Sequence, residues 1–209
     1  MESTVVDTHA RLAARLHALR TDRGLTLEQL AQRAGVSRSM ISLIERGESS
    51  PTAAILDRLA AGFGVTLASL FADEPRVDAS PVSRRADQTT WRDPESGYVR
   101  RNLSPPSFPS SIELVEVVMP AGTRVAYDSS ATRRSVGISQ QIWILEGKLD
   151  LTVGSETHSL AKGDCLAMRL DAPIVFRNPT DRPTRYLVAL AADSAATGFG
   201  GALHRGGAA

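Results

Sequence analysis

The sequence predicts a multidomain α + β chain, a five-helix N-terminal bundle followed by an all-β barrel of two sheets. Three observations carry this expectation. Between residues 8 and 71 apolar side chains recur at three- and four-residue spacing, the period of one helix face. A polar, proline-bearing run over 73–81 then interrupts the pattern, as a linker does. Beyond it, short β-type runs alternate with turn signals about every eight to twelve residues, the rhythm of a sandwich or barrel.

The helical elements follow from their caps. The first helix buries Leu12, Leu16 and Leu19, keeps Arg11, Arg15 and Arg20 wet, and ends at Gly24. Thr26 caps the second, with Gln29 completing a capping box, and Gly35 stops it with a left-handed turn. Ser37 caps the third helix, which stops at Gly47. Pro51-Thr52 opens the fourth, carrying Ile55, Leu56, Leu59, Ala60 and Phe63, and Thr66 opens a short fifth with Leu67, Leu70 and Phe71. Small or apolar residues stand where the second and third helices must cross: Leu30, Ala31, Ala34, Val36, Ile41 and Ile44.

The β-type runs cover 112–119, 140–145, 149–153, 165–170, 174–176 and 185–190, preceded by strands around 89–91 and 98–102. The expected organisation is a helical domain over 1–72, a linker over 73–81, a β domain over 82–193 and a Gly/Ala-rich disordered tail over 194–209.

Composition bounds the function. The 209 residues are 42% hydrophobic and 22% charged, ordinary for a globular protein. No apolar run reaches the roughly 18 residues of a bilayer span, and the first eight residues have no signal-peptide character. Cys165 is the single cysteine, which excludes an intrachain disulfide and a cysteine-based zinc site; a reducing cytoplasm fits. Net charge is +1 and only Lys148 and Lys162 of the 24 basic residues are lysine. Arginines and acids nearly balance over residues 1–72, so any charged binding surface there must come from local placement.

That placement falls on the third helix. Its free face carries Ser37, Arg38, Ser39, Ser42, Leu43 and Arg46, with Met40 at the border. In a helix-turn-helix the first turn of the second helix reaches base edges. Arg38 suits guanine O6 and N7, Ser39 is a versatile single contact, and Leu43 suits a thymine methyl. Backbone N–H groups at the starts of the second and fourth helices, near Leu27 and Thr52, suit phosphates.

The run Leu-Ala-Gln-Arg-Ala-Gly-Val-Ser-Arg-Ser-Met-Ile-Ser-Leu-Ile-Glu-Arg-Gly-Glu-Ser-Ser-Pro resembles the lambda-repressor-like helix-turn-helix of the Xre type, over about residues 9–71. The resemblance implies a DNA-binding domain and makes Glu45 a structural tie between helices, not a base reader. The alternative is a bundle serving protein contacts alone.

From about 110 to 190 the chain resembles a cupin, a double-stranded β-helix or jelly-roll barrel. The carriers are Pro120-Ala121-Gly122, Gln141-Ile142-Trp143-Ile144-Leu145-Glu146-Gly147, Gly163-Asp164-Cys165 and Pro173-Ile174-Val175-Phe176-Arg177-Asn178. Where metal-binding cupins place histidines and a glutamate, this chain has Asp128, Ser130, Gln140 and Ile174. Its four histidines (His9, His17, His158, His204) lie elsewhere. Ile174 cannot ligate a metal and Gln140 is a weak neutral ligand, so no metal or other cofactor is expected.

What remains is a cavity. Strand alternation gathers Gln140, Ile142 and Ile144 on one face, Leu166 and Met168 on another, Ile174 and Phe176 on a third. The expected pocket is apolar with Gln140 as a hydrogen-bonding handle; Tyr127, Asp128 and Arg134 add polar contacts at its mouth. The apolar members also fit a plain core. Cys165 reads as a buried small hydrophobe, and Arg133-Arg134 as a solvated loop pair that an anionic effector could use.

The expected function is a transcriptional regulator, not an enzyme. Its partners would be double-stranded operator DNA, a small-molecule effector bound by the metal-free cupin, and a second copy of the chain, with edge strands and the strands at 89–102 forming the dimer contact. The alternatives are a cupin enzyme with a regulatory DNA-binding head and an antitoxin-like protein-binding module.

Overall fold

The computed structural model describes residues 2–71, 78–127 and 138–192, with side chains from Thr8 in the first stretch and up to Ala191 in the last. Helices α1 (Glu2–Asp22), α2 (Leu27–Ala34), α3 (Arg38–Glu45) and α4 (Ala53–Phe63) form the head. Their caps are the ones the sequence signals. Thr26 accepts from the Gln29 amide while the Gln29 side chain accepts from the Thr26 amide. Gly35 adopts φ 63°, and Ser37 and Thr52 each accept from the amide three residues on. Leu30, Ala34, Val36, Ile41 and Ile44 are buried and Ala31 is half-buried.

The fifth helix is a correction. Ala68–Leu70 is a single 3₁₀ turn. Thr66 does accept from the Ser69 amide at 2.9 Å, yet both hydroxyls also donate to Glu113 of the barrel, at 2.6 and 2.9 Å. A turn tied down this way docks the head; it does not propagate.

Ten strands among the described residues build the β domain. One sheet runs β1 (Thr90–Arg92), β2 (Val99–Asn102), β3 (Ile112–Met119), β10 (Thr184–Ala192), β5 (Ile138–Glu146), β8 (Cys165–Arg169). The other runs β4 (Arg124–Tyr127), β9 (Ile174–Arg177), β6 (Lys148–Val153), β7 (Glu156–Ala161). Strands β4 and β7 have no counterpart in the periodicity, because both are short edge strands whose alternation is weakly apolar. On β5 the alternation holds: Ile138, Gln140, Ile142 and Ile144 point inward, while Gln141 and Trp143 are exposed. The exposed Cys165 is a second correction. It sits on the edge strand β8 opposite Trp143, on the uncovered outer face.

Two buried polar residues fix the barrel's turns. Asn178, fully buried, donates to the carbonyls of Met119, Pro120 and Arg182 and accepts from the Thr180 amide. Thr184 donates to the Lys148 carbonyl at 2.6 Å and lies against Gly147. That glycine has φ +81°, and a Cβ there would meet the Thr184 hydroxyl at 2.7 Å, so the Leu-Glu-Gly turn admits no side chain.

Head and barrel share one hydrophobic cluster. Trp91 on β1 packs against Phe71 of the head and Tyr98 of the barrel, with ring centroids 5.7 Å apart in each pair. The Asp93 carboxylate, buried just after β1, accepts from the Ala53 amide at 2.9 Å. It thereby caps α4 from the barrel side, where the helix dipole favours a negative charge. Head and barrel are thus docked on each other across the expected 73–81 linker. Residues 73–77 lie outside the described ones, as do 193–209, which include the tail expected to be disordered.

Gly147→Ala is expected to lower stability by about 2 kcal/mol, from a positive φ together with overpacking. The midpoint of urea unfolding checks it; an unchanged midpoint would show that the turn relaxes.

Candidate functional site

The candidate DNA-facing surface rests on Glu45. This last residue of α3 is nearly buried and takes a two-point hydrogen bond from Arg20 of α1: Nε to Oε1 and Nη2 to Oε2, both 2.7 Å. His17 Nδ1 lies 3.0 Å from Oε2. Burial pushes the Glu45 carboxyl up, but the hydrogen bonds and charges of Arg20 and His17 outweigh it, and the net shift is downward. The Arg20 guanidinium is raised by the same bond. Helix α3 is therefore clamped to α1 by its C-terminus, leaving its N-terminal turn projecting.

On that turn Ser37, Arg38 and Ser39 are exposed, Met40, Ser42 and Leu43 half-buried, and Arg46 exposed. Ser37 and Ser39 hydroxyls lie 3.2 Å apart. Arg46 is already engaged: Nε and Nη2 donate to the two oxygens of Glu48 at 2.7 and 2.9 Å, and Nη1 donates to Ser42. The pair is exposed, hence screened by salt and open to exchange for a phosphate. Leu27 is half-buried at the start of α2. At the start of α4 the amide after Thr52 faces Asp93 instead of solvent. A phosphate cannot share the Ala53 amide with that carboxylate, whereas Thr52 itself is half-buried beside it.

The barrel contains a cavity of about 50 Å³. Four expected residues line it: Tyr127, Gln140, Ile174 and Phe176. Ile142 is fully buried and absent from the wall; it is core. Met168 pairs with Gln140 in register but is half-buried and not among the wall residues. Asp128 and Arg134 lie outside the described residues.

The wall also holds side chains the sequence did not single out. Tyr98 lies just before β2, Arg100 within it, and Tyr186 on β10. Asp57, Thr66 and Leu67 come from the head. Arg100 is buried, its guanidinium 5.9 Å from the Phe71 ring centroid. The hydroxyls of Tyr98 and Tyr127 hydrogen-bond at 3.0 Å. Burial pushes the Tyr98, Tyr127 and Tyr186 hydroxyls up, so all three stay neutral at neutral pH. Tyr98 and Arg100 stand two apart in extended chain, an alternation visible in the sequence; the head residues left no local signal.

The described residues of the wall do not fit a resident metal ion. Besides Arg100 its polar members are three tyrosines, Gln140, Thr66 and the lone carboxylate of Asp57. Ile174 fills the position where the cupin resemblance puts a histidine, and a buried guanidinium repels a cation. Among the described residues no group of three His, Cys, Asp or Glu side chains is placed to hold one. No helix among them is long and apolar enough to cross a membrane.

Comparison with known proteins agrees with the geometry. Residues 16–70 match the HTH_3 helix-turn-helix family. HTH-type transcriptional regulator SutR of Escherichia coli (strain K12) is 28% identical over 175 residues, covering 84% of this chain and 91% of that one. PuuR, another HTH-type transcriptional regulator of the same strain, is 24% identical over 78% of this chain and 85% of its own length. The crystal structure of an HTH_3 family transcriptional regulator from Vibrio cholerae superposes with a TM-score of 0.68 at 26% identity, covering 89% of this chain and 97% of that one. The head therefore matches a helix-turn-helix model over residues 16–70, and this chain shares its two-domain fold with that regulator.

Glu45→Gln is expected to cost about 2 kcal/mol at pH 7, the worth of hydrogen bonds to a charged group. Because the folded-state carboxyl is shifted downward, this contribution is complete above the unfolded-state value of about 4.3 and fades as pH falls through the folded-state value. Urea unfolding of both proteins between pH 7 and 3 checks it: the gap between them should shrink with acid, and a constant gap would show that charge is not its source.

Proposed function

We propose that this chain is a DNA-binding transcriptional regulator whose barrel senses a small molecule. The observation that carries the reading is α3: a helix fixed to α1 through Glu45 that presents Ser37, Arg38 and Ser39 to solvent at its projecting end. In this reading Arg38 and Ser39 read base edges, Leu43 packs on a thymine methyl, and the Leu27 amide and Arg46 hold phosphates. The names of its relatives support the same role. Double-stranded operator DNA is the partner, and the cytoplasm the place.

The barrel serves as sensor and not as catalyst. Its wall offers neutral tyrosines, an amide and a buried cation, a set suited to holding a ligand and poor in groups that exchange protons near neutral pH. Because Asp57, Thr66 and Leu67 of the head share the wall, a ligand there acts on the DNA-binding domain by contact. It shifts DNA affinity only through its differential affinity for the two arrangements.

Readers of this type bind two half-sites as dimers. The edge strand β1, expected to contribute, packs its inward Trp91 into the seam. The outer face of the six-stranded sheet suits a second copy better. Trp143, Leu114 and Ile112 are exposed there, interleaved with Leu187, Ala189 and Ala191 by register. Apolar faces of this kind mark protein contacts.

Arg38→Ala is expected to weaken binding to a DNA fragment selected from a random pool by about 1–3 kcal/mol, roughly 5- to 150-fold, with far less change on unrelated DNA. Fluorescence anisotropy at fixed salt measures both. Equal affinity for the selected fragment would remove Arg38 from base reading. Trp143→Glu is expected to convert dimer to monomer in sedimentation velocity; a persistent dimer would place the contact elsewhere.

A further inference from the structure

We propose that the cavity between barrel and head binds the carboxylate of a small organic acid through Arg100. The inference rests on the sensing role given to the barrel and adds the ligand's chemical class.

Arg100 is 6% exposed, and its Nε and Nη2 have no hydrogen-bond partner. Those two atoms form one edge of the guanidinium, with parallel N–H bonds spaced to match two carboxylate oxygens. The same chain uses that edge twice elsewhere. Arg20 grips Glu45, and Arg46 grips Glu48, each through Nε to Oε1 and Nη2 to Oε2. Among the described residues, Arg100 alone keeps both atoms of this edge buried and vacant.

A buried cationic edge without an acceptor is expensive. The surroundings do not fill it. The Tyr98 hydroxyl hydrogen-bonds Arg100 outside that edge, and the Phe71 ring offers a quadrupole, not a charge. Asp57 is the acidic member of the wall and is contributed by α4; no oxygen of it accepts from the Nε–Nη2 edge. An incoming carboxylate would relieve the deficit.

Size and lining narrow the ligand. About 50 Å³ holds roughly three to five water-sized atoms, the bulk of a carboxylate with one or two carbons attached. Val117, Ile138, Leu170 and Ile174 surround the remaining space and suit a short alkyl body. The free nitrogens have almost no accessible surface, so the cavity does not yet reach them and the bound state requires the wall to move. The head forms a share of that wall, and so the same movement reaches the DNA-binding domain.

The test uses full-length protein with sodium propionate as the probe, sodium chloride at equal ionic strength as the control, and ethylamine hydrochloride as the opposite charge. Propionate, and neither control, is expected to raise the thermal midpoint and change the emission of Trp91. Arg100→Met should weaken the response at least tenfold, and Arg100→Lys, which keeps charge but loses the paired edge, should fall between. Circular dichroism confirms folding; if Arg100→Met is unfolded, the Arg100→Lys comparison decides alone. An absent propionate response up to 50 mM, an equal response in both variants, or a response to ethylamine instead overturns the proposal. DNA affinity measured in parallel separates the two readings. Propionate that binds through Arg100 yet leaves DNA affinity unchanged upholds the site and removes the sensing role. A neutral or cationic compound that alters DNA affinity does the reverse.

Discussion

The Asp93 carboxylate on the first amide of α4 is the contact on which the rest of the arrangement depends. A helix start leaves unsatisfied N–H groups and a partial positive charge. Here the barrel supplies the acceptor, and Asp93 in turn is held by the amide of Ser96 at 2.9 Å. Glu113 adds a second polar tie between barrel and head, accepting from the hydroxyls of Thr66 and Ser69. Between these polar pins lie Phe71, Trp91 and Tyr98 in ring contact. Two domains that could have hung on a tether are therefore held at a defined angle.

That rigidity gives the cavity its meaning. A pocket enclosed wholly by barrel strands could fill without consequence for the helices. With head residues in the wall, occupancy becomes a statement about the seam. The Glu45 clamp joins α1 and α3 through a charged, nearly buried pair, so the two helices are held as one body.

The sequence makes visible what is decided locally. Thr26 with Gln29, and Ser37 with Met40, are capping pairs three residues apart, and each closes as its spacing implies. The inward set on β5 follows from alternation alone. What stayed hidden involves long separations. Asp93 and Ala53 are 40 residues apart, and nothing in either neighbourhood marks the pair. Thr66 carries a genuine cap signal, yet a carboxylate 47 residues away claims its hydroxyl, and a turn forms where a helix was expected. Cys165 reads as core by composition; its exposure depends on β8 lying at a sheet edge, a fact of strand order. Arg100 was legible as a strand residue but not as a wall residue, since the groups that enclose it come from distant segments of both domains.

The chain has two tryptophans, and their surroundings are opposite. Trp91 is sealed in the seam at 2% exposure, whereas Trp143 stands 48% exposed on the outer sheet. An indole shielded from water emits toward the blue and resists soluble quenchers; a wet one emits toward the red and is quenched readily. The molecule thus carries a built-in pair of optical reporters, one for the joint between its domains and one for the sheet surface.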